Sequence, residues 1–195
     1  WVGPMPPPNK IFPKNPLSNH VSVRTDSTVK DAVNNSRGFD VIGDIHGHAD
    51  ELEALLRRLG YEENAGVFRN PIGRKAVFLG DYIDGGPRPV QAVAIVRGMI
   101  EAGEAYGILG NHELNALCFH TRGRNGEPLR PHTGQNLRQH SATLENFARA
   151  RPVKWRETLE WFRSLPLWID FGGFRVVHAC WDARALARLR GGSAD

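Results

Sequence analysis

The sequence has few cysteines and no long hydrophobic run. Cys118 and Cys180 are its two cysteines among 195 residues, and neither belongs to a CxxC pair. Two isolated cysteines do not make the disulfide framework of a secreted domain, so a reducing, cytoplasmic setting is expected. No apolar stretch approaches the roughly 20 residues of a membrane-spanning helix, so no membrane partner is expected. The first residues, WVGPMPPPNK, lack the apolar segment of a signal peptide.

Excess charge of one sign is also scarce. Lys and Arg number 25 against 21 Asp and Glu, which gives a formal net charge of +4. This small excess fits an anionic substrate, and it fits equally well a solvated surface that leans basic. The basic residues are scattered and no nucleic-acid-binding motif is present, so nucleic acid is not an expected partner.

Apolar residues are sparse in residues 1–37, where six prolines precede the polar stretch VSVRTDSTVKDAVNNSRG. Proline interrupts helices, and the few apolar side chains cannot offset the entropy lost on ordering. The sequence therefore predicts a disordered tail over 1–37 and one domain over 38–195.

From Phe39 onward, short apolar strands alternate with amphipathic helices. Strands are predicted in FDVIG, VFRN, AVFLG and AYGILG, and a hairpin in LPLWIDFGGFRVVHAC turns at Gly172-Gly173. Helices are predicted in ADELEALLRRLG, PVQAVAIVRGMIEAG, NHELNALCF, VKWRETLEWFRSL and DARALARLR, whereas residues 120–140 show no clear periodicity. This alternation predicts a layered α/β domain.

Polar side chains follow the ends of four predicted strands. Asp44 and His46 follow VIG, Asp81 follows FLG, Asn111 follows ILG, and His178 follows RVV. The carboxyl ends of strands in an open α/β sheet form the ligand crevice, so these side chains are expected to converge. Each cluster alone would be read as a turn or a satisfied polar residue. Four together indicate a functional site.

The residue types at this site indicate two divalent metal ions. Asp44, His46 and Asp81 offer ligands for one ion, and Asp81, Asn111 and His178 for the other. With Asp81 as the bridge, two ions about 3.5–4 Å apart are expected, as in two-metal hydrolases. Mixed nitrogen and oxygen ligands favour Mn²⁺, with Fe or Zn as alternatives, over Ca²⁺ or Mg²⁺. A metal-bridging hydroxide would attack phosphorus.

A leaving alkoxide needs a proton, and His112 is the candidate general acid because it adjoins Asn111. Asp84 lies three residues after Asp81 and is the candidate hydrogen-bond partner of His112. Such a partner would orient the imidazole and keep it protonated.

The motifs GDIHGH, GDYIDGG, GNHE and VVHACW resemble the signature of calcineurin-like metallophosphoesterases. The resemblance covers about residues 39–182 and is closest to the phosphoprotein phosphatase branch, which includes bacterial Ser/Thr phosphatases and diadenosine tetraphosphatases. It implies two facing β-sheets flanked by helices, a four-layer αββα arrangement, and the same ligand and proton-donor roles. The implied substrates are a phosphorylated small molecule, a dinucleotide polyphosphate or a phosphoprotein. The stretch RPHTGQNLRQH looks most like the diadenosine tetraphosphatases.

One departure from the family concerns phosphate binding. The family has an arginine that grips phosphate where this chain has Gly85. Arginine suits phosphate because its planar fork bonds two oxygens at once. The candidate replacements are Arg88, Arg122, Arg124 and Arg130, although any one of them alone is more readily read as a surface residue.

A second departure concerns the last ligand. The family adds a Gly-His motif after the strand-borne histidine, but no histidine follows His178 here. The resemblance thus implies that the C-terminal part of the domain, with one imidazole ligand, is missing. The spare imidazoles belong to His48, His120, His132 and His140. Two hypotheses remain: a two-metal phosphoester hydrolase, or a non-catalytic fragment that binds metal or phosphate.

Overall fold

The computed structural model describes residues 36–185. The predicted N-terminal tail, apart from its last two residues, lies outside this range. So does most of the predicted C-terminal helix in DARALARLR.

The described strands build one parallel sheet and two hairpins. In chain order they are β1 (Phe39–Ile42), β2 (Glu62–Asn64), β3 (Val67–Arg69), β4 (Lys75–Phe78), β5 (Ala105–Gly107), β6 (Trp168–Asp170) and β7 (Arg175–Val177). The parallel sheet has the order β1-β4-β5, while β2 pairs with β3 and β6 with β7, both antiparallel. The apolar strand β4 is central, and β6 and β7 form the predicted hairpin.

Two helices lie between strands of the parallel sheet, and three more follow its last strand, β5. They are α1 (Ala49–Arg58), α2 (Pro89–Glu101), α3 (Asn111–His120), α4 (Gly134–Thr143) and α5 (Pro152–Ser164), and a π-helical segment, Leu144–Arg149, continues α4. Proline opens both α2 and α5, where its missing N–H costs no hydrogen bond. No helix within residues 36–185 is long and apolar enough to cross a membrane.

Alternate residues of β4 face different layers, as the two-residue period of a strand requires. Ala76 and Phe78 pack into the large apolar cluster beneath the helices. Val77 points to the opposite face, where it packs with Ile169 and Val176 of the β6–β7 hairpin. Residues 36–185 therefore form a helical layer, the parallel sheet and a second small sheet. This agrees with the predicted layered α/β class.

Two elements differ from the sequence prediction. Strand β2, which pairs with β3, was not predicted. All three residues of β2 are exposed and polar, so it carries no apolar strand pattern. Helix α4 lies mostly in the stretch that lacks apolar periodicity. Its buried residues are His140 and Thr143, so its inward face is polar and gives no hydrophobic signal.

Candidate metal centre

The loops that follow β1 and β4 are joined through their backbones. The N–H groups of Ile45 and His46 both donate to the carbonyl oxygen of Asp81, at 3.0 and 2.8 Å. His46 and Asp81 have φ angles of +47° and +56°, in the left-handed region that non-glycine residues rarely occupy. The surrounding bonds hold this conformation and bring the two side chains to the same end of the sheet.

The buried carboxylate of Glu113 organises the same region. It accepts the N–H groups of Asp81 and Tyr82, both at 2.8 Å, and that of Gly110 at 3.1 Å. Gly110 is the N-cap residue of α3, so Glu113 ties the start of this helix to the Asp81 loop. The motif GNHE contains Glu113, but the sequence alone gave it no role.

Two glycines allow these loops to approach each other. A Cβ atom on Gly80 would overlap the backbone of Gly110, and a Cβ atom on Gly110 would overlap Asp81 Oδ1 and the Asp81 nitrogen. The side chain of Asp81 therefore reaches the helix start only because no side chain stands between them.

Asp81 lies at the centre of the predicted ligands. Its Oδ1 accepts the N–H of His112 at 2.9 Å. Its Oδ2 lies 3.8 Å from Nε2 of His46, 3.5 Å from Nε2 of His178 and 4.0 Å from Nε2 of His112. A buried, acceptor-only carboxylate that faces three imidazole nitrogens needs cations or protons to offset its charge.

The histidine rings are oriented for this role. Nδ1 of His46 lies 3.3 Å from the carbonyl oxygen of Ile83, and Nδ1 of His178 lies 2.7 Å from that of Leu79. Because a carbonyl only accepts, each Nδ1 donates to the backbone, and each Nε2 faces the centre. Backbone carbonyls orient metal-ligating histidines in this way.

The remaining predicted ligands complete the cluster. Asp44 Oδ2 lies 3.6 Å from His46 Nε2, and Asn111 Oδ1 lies 2.8 Å from His178 Nε2. Two overlapping groups have ligand atoms within 4.8 Å of one another: His46, Asp81 and His112, and Asp44, Asp81 and His178. Carboxylate, amide and imidazole donors around a shared Asp81 fit two divalent cations. The structure thus brings all five predicted ligands together.

The predicted proton donor contacts its predicted partner. His112 Nδ1 lies 2.7 Å from Asp84 Oδ2, and this hydrogen bond is the main cause that raises the pKa of His112 above its ordinary value. Burial alone would raise the pKa of Asp84, but hydrogen bonds from His112, His140 and Thr143 outweigh burial and hold that pKa well below its usual range. Asp84 is therefore ionised, and His112 Nδ1 donates to it.

A cavity of about 500 Å³ opens beside this pair. Its wall includes His46, His112 and Asp84 from the centre, together with Gly85. Helix α4 supplies Arg138, Gln139, Ser141 and Ala142, and His48 lies at the start of α1. Its volume lies within the usual range for small-molecule sites.

None of the four arginines suggested for phosphate binding lines this cavity. Arg88 bonds Asp50, and Arg122 bonds the Gly126 carbonyl at 2.7 Å. Arg130 bonds Oε1 of Gln139, a residue of the wall, at 2.6 Å. Arg138 does line it, and no sequence pattern distinguishes this arginine within a segment that lacks periodicity. The phosphate-binding roles suggested for Arg88, Arg122, Arg124 and Arg130 stay predictions.

The chain is similar to several known proteins. The profile of calcineurin-like phosphoesterases matches residues 38–186. An asymmetrical bis(5'-nucleosyl)-tetraphosphatase of Bacillus subtilis is 33% identical over 144 residues, which cover 72% of this chain and 57% of that protein. One from a Geobacillus strain is 44% identical over 87 residues, covering 45% and 35%. A metallophosphoesterase structure from Sphaerobacter thermophilus is 21% identical with a TM-score of 0.46, covering 80% of this chain and 56% of that one.

The chain spans 57% of the length of the Bacillus subtilis relative and 35% of the length of the Geobacillus relative. The profile match, in contrast, extends over most of the chain and includes every predicted ligand. This chain belongs to the calcineurin-like phosphoesterase family.

Proposed function

We propose that this chain carries the metal centre of a two-metal phosphoester hydrolase. The observation that supports this most directly is the buried Asp81 carboxylate, whose Oδ2 lies within 4.0 Å of three imidazole Nε2 atoms. Asp44, His46, Asp81, Asn111 and His178 are the proposed ligands, and Mn²⁺ is the favoured ion, with Fe or Zn as alternatives. Bound ions would supply Lewis-acid polarisation of phosphoryl oxygens and a water of lowered pKa.

The proposed proton donor is His112. Its Nδ1 is engaged by Asp84, so the proton available to a leaving oxygen is the one on Nε2, at the cavity wall. Asp84 fixes the ring and favours its protonated form, which is what a general acid requires. Arg138, also in the wall, is the proposed cationic contact to substrate phosphate.

The proposed substrate is a dinucleotide polyphosphate, with a phosphate monoester or a phosphoprotein as alternatives. Two observations support the first choice: the similar bacterial proteins are named bis(5'-nucleosyl)-tetraphosphatases, and the cavity of about 500 Å³ offers room beside the centre for more than one phosphate. The proposal includes a cytoplasmic location, which the two isolated cysteines support.

The test is metal-dependent turnover of p-nitrophenyl phosphate and of diadenosine tetraphosphate. We expect Mn²⁺ to be required, a chelator to abolish turnover, and Asp81→Asn to lower kcat at least about 1,000-fold, since it removes the shared carboxylate. Asp170→Asn is the matched control, because Asp170 lies at the tip of the β6–β7 hairpin and bonds Arg175 and the Gly172 N–H. It should keep wild-type rates.

Turnover that persists with chelator present, or in Asp81→Asn, would contradict the proposal. A chain that binds Mn²⁺ by calorimetry and hydrolyses neither ester would support the second hypothesis, a non-catalytic metal-binding fragment.

A further inference from the structure

The Asp84 carboxylate is held from two opposite sides. Oδ2 accepts from His112 Nδ1 at 2.7 Å, on the side of the cavity. Oδ1 accepts from His140 Nδ1 and from the Thr143 hydroxyl, both at 2.7 Å, on the side of α4. The Thr143 hydroxyl in turn accepts the backbone N–H of Asp84 at 3.0 Å. The carboxylate is thereby fixed in one orientation, and Asp84, His140 and Thr143 are all buried.

His140 is itself held from behind. Its Nε2 lies 3.4 Å from Nε2 of His120, and that same His120 nitrogen accepts the indole N–H of Trp155 at 3.2 Å. An indole N–H only donates, so His120 Nε2 is an acceptor. Burial, with repulsion from His140 and His132, lowers the pKa of His120 to about 4, so this ring is neutral near pH 7.

His140 contacts Asp84 from this fixed position. Its Nδ1 donates to the ionised Asp84 carboxylate at 2.7 Å, while its Nε2 lies against His120. The bond to Asp84 is a buried, charge-assisted hydrogen bond.

Such a network is costly to build inside a protein. The ring of His140 lies among the rings of Phe119 and Trp155, with centroids 5.2 and 5.9 Å away. Apolar side chains in place of both His140 and Asp84 would pack here without any desolvation penalty, and a buried charged group with its partner seldom stabilises a fold more than such a replacement does. Stability alone therefore does not account for the pairing of His140 with Asp84.

We infer that His140 is a positioning residue, which holds the Asp84 carboxylate from the side opposite the cavity so that His112 keeps its Nε2 directed into the site. His120 and Trp155 fix His140 in turn. The inference rests on the proposed function, because it assigns His140 to the proton-donating step of that reaction. It also makes a structural claim about His112 that can be tested without turnover.

The kinetic test compares two esters in the presence of Mn²⁺. p-Nitrophenyl phosphate releases a stable phenolate and needs little help from a general acid, whereas phenyl phosphate releases a more basic oxygen and needs a proton. In His140→Phe, which keeps a ring but removes both ring nitrogens, we expect kcat on phenyl phosphate to fall roughly tenfold more than kcat on p-nitrophenyl phosphate, with little change in KM. His140→Asn, whose amide can donate from the position of Nδ1, should restore most of the difference.

His132→Asn is the matched control. His132 stacks on the same Phe119 ring at 3.8 Å and bonds the Phe119 carbonyl, but it does not contact Asp84. Its ratio of rates on the two esters should equal that of wild type. If His140→Phe loses the same factor on both esters, or His140→Asn rescues neither, the inference is wrong.

Imidazole NMR of the metal-free chain gives a second, independent readout. We expect the hydrogen-bonded Nδ1 proton of His112 in wild type and in His140→Asn, and its loss to rapid exchange in His140→Phe. An unchanged His112 signal in a folded His140→Phe protein would overturn the inference. If wild type hydrolyses neither ester, the proposed function fails, and this spectrum still decides whether His140 positions His112.

Discussion

At the residue scale, the proposed cationic contact to substrate phosphate is an arginine that the sequence did not single out. Among residues 36–185, Arg138 is the arginine in the wall of the cavity beside Asp84 and Gly85. Gly85 has a φ of +78°, and a Cβ atom there would lie 3.3 Å from the Cβ of His46. This position favours glycine, so a cationic contact has to come from another element, here α4.

Arg138→Gln should therefore weaken substrate binding. A hydrogen bond to a charged group contributes about 1.5–3 kcal/mol, so KM should rise roughly tenfold or more, with a smaller change in kcat. Steady-state kinetics on diadenosine tetraphosphate would measure this. Arg122→Gln is a suitable comparison, because the Arg122 guanidinium bonds the Gly126 carbonyl outside the cavity wall. Equal effects of the two variants would argue against a specific role for Arg138.

The residues that could be predicted from sequence are those whose position follows from a strand. Asp44, Asp81 and Asn111 each come directly after an apolar strand and a glycine, so their convergence follows from the parallel sheet. Glu113 and His140 act through contacts with residues 30 or more positions away, and no local pattern reveals such contacts.

At the scale of elements, the close approach of two loops restricts which residues can occupy the positions where they meet. The Asp81 loop and the start of α3 meet at Gly80 and Gly110, with no room for a side chain. Gly110→Ala should destabilise the chain by about 1–3 kcal/mol, because the backbone of the Asp81 loop has to move. Denaturant unfolding would measure the change.

Gly98→Ala is the matched control for this prediction. Gly98 lies inside α2, and a Cβ atom there would meet nothing within 4 Å. Alanine is the better helix former by about 0.8–1.0 kcal/mol, so this variant should be more stable than wild type. A Gly110→Ala protein as stable as wild type would show that the two loops can separate without cost.

Elements with an apolar face were predicted, and those without one were not. Strand β4 and helices α1, α2 and α5 bury apolar side chains at the expected spacing. Helix α4 instead buries His140 and Thr143, which bind Asp84. Its inward face is thus defined by a polar partner far away in the sequence, which a hydrophobic pattern cannot show.

At the scale of the whole molecule, the Asp84 pair links the sheet to α3 and α4, so its charge state should affect global unfolding. The pKa of Asp84 is lowered, so its contribution is present above the ordinary value of 3.8 and is lost as the pH falls below it. The pKa of His112 is raised, so its contribution is fully present below the ordinary value of 6.5 and is lost as the pH rises through the raised pKa.

The free energy of unfolding of wild type should therefore exceed that of Asp84→Asn by the largest margin between pH 3.8 and pH 6.5. Urea unfolding of both metal-free proteins between about pH 3 and pH 8 would test this. The margin should shrink towards both ends of the range. A margin that stays constant at acid pH would mean that Asp84 is not held ionised by its partners.

The register of the β6–β7 hairpin has a consequence for the centre. Trp168 pairs with Val177 and Asp170 with Arg175, and the next residue after Val177 is His178. Successive side chains of a strand point to opposite faces, so a slip by a single position would turn the imidazole away from Asp81. The length of the short reversal at Gly172-Gly173 therefore decides whether the imidazole of His178 faces the proposed metal centre or the opposite side of the small sheet.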